Sequence, residues 1–379
     1  MRSRVRAVLV LVLTIGLLAF FFHDVNLGRV WTATRGADAR MLALAVAVTM
    51  MTYALRAFRW QYLLAPIGPT HFGTAFQTTV IGFAASFLLP ARPGEVLRPY
   101  LLARRERLPP TAAFATIILE RLLDLVTVLL LFGAFVLLVD PASLSADPAV
   151  YARVKTGGVM AAAGSIVGLA ILFVLAGHPE RLGAWALRIE KVLPGRLARL
   201  VAHFAEGFAK GLAVLRRPVH LAGSLALSFP LWLSIALGIW VTSHAFHMTF
   251  GYLASFLVMT LLVVGVAMPT PGQVGGFHEM YKLSVMMFLG VPKDTAVAAG
   301  IVLHAVSFVP VTLLGLAFMA REGLSFGRMR EMAAREKGGA GAELHRADSV
   351  ASEGMREPPR SGGPSAQRGG AVAGPRRAE

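Results

Sequence analysis

Cysteine is missing from all 379 residues, which excludes thiol catalysis, disulfides and thiolate-ligated metals. Charge is scarce too: charged residues make up 15% of the chain, well under the roughly 25% of an average soluble domain. Acidic residues are the rarer sign, 21 against 37 Lys and Arg, for a formal net charge of +16. A basic excess of that size can mark a nucleic-acid binder. Here the basic residues flank apolar runs and form no domain of their own, so no nucleic acid is expected as a partner. The pattern instead fits cationic flanks held on the cytoplasmic side and in contact with anionic headgroups.

What the chain has in quantity is apolar surface, with 56% of its residues hydrophobic. Several runs approach or exceed about 18 residues, the length that reads as a membrane span. The predicted fold is all-α, a polytopic integral membrane helical bundle. Apolar helices are expected at roughly 7–23, 40–61, 72–90, 112–139, 157–177, 219–245 and 252–268, a short helix at 277–290 and a last span at 295–319. The first follows MRSRVR with no small-residue cleavage site behind it, so it reads as a retained anchor. Residues 178–218 carry Arg188, Lys191, Arg196, Arg199 and Lys210 among periodic apolar residues. They read either as an amphipathic segment on the cytoplasmic face or as an ordinary basic loop. Beyond about 320 the sequence turns to Gly, Pro, Ser and mixed charge, which cannot bury enough apolar surface to order a fold. The expected organisation is a transmembrane domain over 1–320 and a disordered cytoplasmic tail over 321–379.

Orientation constrains the helices further. With the basic N-terminus, the 178–218 segment and the tail all inside, simple alternation fails unless 72–103 and 252–290 each dip in and return to the same side. The two tips are alike: Pro90-Ala91-Arg92-Pro93-Gly94-Glu95-Val96 and Pro269-Thr270-Pro271-Gly272-Gln273-Val274. Broken helices at matching places in two halves point to inverted repeats and a site near the bilayer midplane. Such breaks are tolerated only where the backbone is buried in protein or lines a wet cavity.

The charges sit at these breaks. Arg92, Glu95 and Arg98 follow one another at three-residue spacing around Gly94. A helix starting after Pro93 makes Glu95 and Arg98 neighbours and tolerates Pro99 only within its first turn. A helix start with arginines beside it suits an anion, phosphate above all. The next span holds Glu120, Arg121 and Asp124; at about 2.5–3.5 kcal/mol per charge at mid-membrane, these must be paired or wet. Arg56 and Arg59 add two positive charges, either as structural ion pairs and snorkelling residues or as part of an anion site. In the second hairpin Gly272, Gln273, Gly275, His278 and Glu279 are the candidates, the glycines for close approach and His278 and Glu279 for taking or giving protons. No metal site and no cofactor are expected.

Together, Arg59-Trp60, Pro90-x-Arg92-x-Gly94-Glu95-x-x-Arg98, Glu120-Arg121-x-x-Asp124 and Pro271-Gly272-x-x-Gly275-x-Phe277-His278 resemble the lysylphosphatidylglycerol synthase transmembrane (flippase-like) family. The resemblance covers about residues 8–320. It implies an inner-membrane protein, multi-pass, that moves or presents an anionic or aminoacylated phospholipid, or a related lipid-linked substrate, between leaflets. In the best-known members this region precedes a soluble aminoacyltransferase domain. This chain looks like a stand-alone unit without one and is expected not to be an enzyme. One departure is that many relatives carry Glu where His278 stands, with Glu279 following here. Two other readings stay open: an intramembrane enzyme acting on a polyprenyl or phospholipid phosphate, and a non-catalytic membrane partner of a lipid- or glycan-modifying enzyme.

Overall fold

The computed structural model describes residues 26–89, 92–177, 218–268 and 270–321, all within one compact unit, Met1–Met329. The predicted helix at 7–23, the basic segment up to residue 217 and the tail from 322 lie outside the described residues. The rest is helical: α1 (Leu27–Arg35), α2 (Ala39–Leu64), α3 (Phe72–Leu88), α4 (Gly94–Glu106), α5 (Pro110–Leu138), α6 (Pro148–Gly177), α7 (Pro218–Ala245), α8 (Ala254–Ala267), α9 (Gly276–Leu289) and α10 (Lys293–Arg321). No strand occurs among the described residues. The short α1 falls where the sequence reading has no helix. Asn26 caps it by accepting from the Arg29 amide, and Asp38 caps α2 through the amides of Arg40 and Met41.

Helix length separates spans from hairpin arms. At 1.5 Å per residue, α2, α5, α7 and α10 reach about 39–44 Å and exceed a hydrocarbon core of about 30 Å. These four are long and apolar enough to cross a membrane. The 17 residues of α3 and the 14 of α8 reach only about 26 and 21 Å, too short to cross unaided. Each turns back instead, α3 into α4 and α8 into α9, as the charge bias requires.

The chain thus runs span, hairpin, span twice: α2, α3–α4, α5 and then α7, α8–α9, α10. The two halves interlock. Their first spans, α2 and α7, pack together; the first arm of each hairpin packs on the last span of the other half, α3 on α10 and α8 on α5. Each hairpin closes through a pair of glycines. A Cβ on Gly94 would run into the Gly82 carbonyl oxygen, and one on Gly276 into that of Gly265, so the arms cross at backbone contact. Pro99 lies in the second turn of α4, not the first, so the Glu95 carbonyl loses its usual helical donor.

Helix ends gather into two opposite faces. On one, Tyr62 at the end of α2 stacks on His220 near the start of α7, and Phe76 near the start of α3 meets Phe318 near the end of α10. Arg104 and Arg105, at the end of α4, belong to this face. On the other, Asp38 bonds the Ala245 carbonyl, Asn26 bonds Asp294, and the Ser145 amide bonds the Phe288 carbonyl. The hairpins open to opposite faces and meet tip to tip between them. Arg92, at φ 49°, donates to the Val266 carbonyl near the end of α8.

Candidate functional site

A cavity of about 450 Å³ lies where the two tips meet, walled by α2, α3, α4, α5, α7, α8 and α10 and by Phe277 of α9. Its polar lining comes from Arg56, Arg92, Glu95, Arg98, Arg121, Asp124, Gln273 and several hydroxyls, including Thr49, Ser86 and Ser307. The remainder is apolar, with Phe83, Phe87, Leu262, Val263, Val266 and Phe308 prominent.

Behind the cavity wall, Glu120 is fully buried on α5. Arg98 reaches it from α4 in a two-pronged bond, Nη1 to Oε1 at 3.0 Å and Nη2 to Oε2 at 3.2 Å. The sequence spacing pairs Arg98 with Glu95; the fold turns Arg98 away from it, and Glu95 stands exposed in the cavity. Because α4 packs on both α3 and α5, Arg98 lies under Gly82 and over Trp60, its guanidinium 3.9 Å from that ring's centroid. Trp60 is held in turn by its Nε1, which donates to Thr116 at 3.0 Å.

Asp124, one turn along from Glu120, takes a 2.5 Å bond from Arg59 and a 2.8 Å bond from the Trp232 indole on α7. Arg59 also donates to Ser228 at 2.7 Å. Arg56 sits 3.5 Å from Glu120 and 3.6 Å from Asp124, distances of charge contact rather than hydrogen bonds. Arg121 approaches both carboxylates, at 3.7 and 3.8 Å, from a half-exposed position. Guanidinium nitrogens of Arg56, Arg59, Arg98 and Arg121 therefore all lie within 3.7 Å of one oxygen, Oε1 of Glu120. Arg56 Nε and Nη1 and Arg98 Nε are buried with no hydrogen-bond partner. In a desolvated setting such donors are costly unless something accepts from them.

The first hairpin's candidates converge on this cavity: Arg92, Gly94, Glu95 and Arg98 line it together with Arg121 and Asp124. Of the second hairpin's set, Gln273 lines it, whereas Gly272, Gly275, His278 and Glu279 do not. They build the tip. The Gly272 carbonyl accepts from His304 Nε2 at 2.8 Å, and the Gly275 amide donates to His278 Nδ1 at 3.4 Å, at the start of α9. Glu279 pairs with Lys282 at 2.7 Å, both buried along α9. The rings of His278 and His304 lie 4.6 Å apart.

Arg59, which the sequence left open between a structural ion pair and part of an anion site, joins the network with Ser228 and Trp232, which the sequence did not mark. The doublet of arginines in an apolar helix is the signal that singled out Arg56 and Arg59. Ser228 and Trp232 lie on a helix more than a hundred residues away and carry no such signal.

The profile of the family described as "Lysylphosphatidylglycerol synthase TM region" matches residues 7–315. Similar proteins include "Glycosyltransferase AglD" of Haloferax volcanii, 25% identical over 344 residues, which covers 82% of this chain and 53% of AglD. A "UPF0104 membrane protein" of Methanothermobacter thermautotrophicus is 24% identical over 333 residues, covering 82% of this chain and 94% of that protein. The chain thus spans about half the length of AglD and nearly all of the second relative.

Proposed function

The chain belongs to the lysylphosphatidylglycerol synthase TM region family, and from that premise we propose that it moves or presents a lipid with an anionic headgroup between the leaflets of a cell membrane. The observation that carries this reading is the cavity between the hairpin tips, into which Arg56, Arg92, Arg98 and Arg121 converge. The headgroup phosphate would bond the arginines that line the cavity, while the apolar lining takes the first carbons of the lipid tail. Glu120 and Asp124 hold the arginines in position from behind. Glu95, open to the cavity, is placed to meet a hydroxyl or cationic group on the headgroup.

Hairpins that enter from opposite faces and touch at their tips suit alternating access, in which one half rocks against the other around a fixed site. In this reading the face bearing Arg104 and Arg105 is cytoplasmic, with the N-terminus and the tail on that side. The membrane is the inner one where a cell has two.

The test is lipid translocation in proteoliposomes, read by dithionite reduction of tail-labelled phosphatidylglycerol and phosphatidic acid. Wild type should expose inner-leaflet label faster than empty vesicles do. Arg98→Gln and Glu95→Gln, each shown to be folded, should slow exchange about tenfold or more. Equal rates in the three proteins would overturn the assigned roles.

A second reading is favoured by the name of AglD: the same cavity presents a lipid-linked sugar to a glycan-modifying enzyme. A polyprenyl-linked sugar phosphate that outcompetes phosphatidylglycerol for the purified protein would support it.

A further inference from the structure

Resting on the reading above, we propose that the cavity prefers a lipid ending in a phosphomonoester, a dianion, over the monoanionic phosphodiester of a glycerol-type headgroup. Three observations lead there. The first is charge. Arg56, Arg59, Arg92, Arg98 and Arg121 face Glu95, Glu120 and Asp124 at this one place, which leaves two positive charges unmatched. One of the two is buried, where Arg56, Arg59 and Arg98 meet Glu120 and Asp124; the other is at the more open edge, where Arg92, Arg121 and Glu95 stand. A ligand of matching charge would compensate both.

The second is the number and direction of the arginines. Arg56 comes from α2, Arg98 from α4, Arg121 from α5 and Arg92 from the hairpin tip, so the site is approached from four directions. All four arginines line the cavity; the unbonded Arg56 Nε, Arg56 Nη1 and Arg98 Nε lie beneath its surface beside the unbonded Asp124 Oδ2, so a ligand meets the arginines through their remaining N–H groups. A phosphomonoester offers three terminal oxygens to such donors, whereas a diester offers two.

The third is the apolar part of the lining. Leu262, Val263, Val266 and Phe308 are suited to a hydrocarbon tail. Free inorganic phosphate shares the anion's chemistry but not the tail.

Binding to the purified full chain in detergent at about pH 8, where a phosphomonoester carries close to two charges, tests this. Phosphatidic acid, phosphatidylglycerol and inorganic phosphate are the probes, and native mass spectrometry and thermal shift the readouts. Phosphatidic acid should bind about tenfold more tightly than phosphatidylglycerol, a difference of about 1.4 kcal/mol, and inorganic phosphate should give no shift at the same concentration. Arg121→Gln, at the half-exposed edge of the cavity, should cut the preference to about threefold or less, and so should Arg56→Gln if it folds. Equal affinity for the two lipids would overturn the monoester preference and leave the lipid-carrier reading standing. A shift with inorganic phosphate as large as with phosphatidic acid would overturn the requirement for a tail. An unchanged preference in Arg121→Gln and in folded Arg56→Gln would overturn the arginine assignment. Binding of neither lipid would sink both the preference and the carrier reading.

Discussion

At the scale of single residues, Glu120 and Glu95 illustrate how differently two carboxylates can serve one site. Glu120 has no exposed surface and answers Arg98 with both oxygens. Neutralising it removes the counter-charge shared by the buried Arg56, Arg59 and Arg98. Breaking a buried pair by removing one partner typically costs about 3–5 kcal/mol, so Glu120→Gln should lower the thermal unfolding midpoint sharply in detergent. Glu95 is exposed and has no ion pair among the described residues, so Glu95→Gln should shift stability by no more than about 0.5 kcal/mol. If transport falls in Glu95→Gln at unchanged stability, this residue acts on the substrate. A comparable loss of stability in the two variants would show that Glu95 is structural. The sequence marked both carboxylates and showed Glu95 as the helix neighbour of Arg98, without deciding which of them Arg98 bonds. Spacing along a helix identifies neighbours on that helix, and the partner here comes from α5.

At the scale of elements, each hairpin depends on its glycine crossing. A methyl group added at Gly94 or Gly276 would press on the backbone of the facing arm, which cannot rotate out of the way. Overpacking of this kind costs about 1–3 kcal/mol. Gly94→Ala and Gly276→Ala should each reduce stability and slow lipid exchange, because the hairpin arms must separate to fit them. Gly133 and Gly164, where a Cβ would meet nothing within 4 Å, are the controls. Ala there should be neutral or stabilise by up to about 1 kcal/mol through helix propensity. If all four substitutions behave alike, helix propensity and not the crossing sets the outcome. The hairpins themselves were legible in the sequence, since Pro-Gly breaks and the charge bias of the flanking segments are local features; how short their first arms are was not. The extent of α4 was less so, for Pro99 sits a turn deeper than its chemistry alone would place it. The buried face of α4 keeps the helix intact there.

At the scale of the whole molecule, the two halves and their opposed hairpins make a topological claim that labelling can check. A chain without cysteine accepts single reporter cysteines with no background. Arg104 stands on the face where the first hairpin opens, and Arg29 on the other, 3.6 Å from Asp294. A membrane-impermeant maleimide should label Arg29→Cys on intact cells and Arg104→Cys only after permeabilisation. Labelling of both from the same side would overturn the arrangement of spans and re-entrant hairpins, and the reversed pattern would overturn the orientation.

The sequence by itself determined the solvent, the secondary structure and the places where it breaks. Apolar runs, scarce charge and Pro-Gly tips are properties of neighbouring residues and need no partner to be read. It also marked Arg92, Glu95, Arg98, Glu120, Arg121 and Asp124 as costly in a membrane and therefore meaningful. Only the tertiary structure decided which charges meet. It drew Arg56 and Arg59 from α2 and Trp232 and Ser228 from α7 into one network. It turned Arg98 from Glu95 to Glu120, and it set His278 and Glu279 behind the second tip instead of in the cavity. The physical reason is that a buried charge is satisfied by whatever packing brings within about 3–4 Å, and in an interlocked pair of halves that partner is distant in the chain.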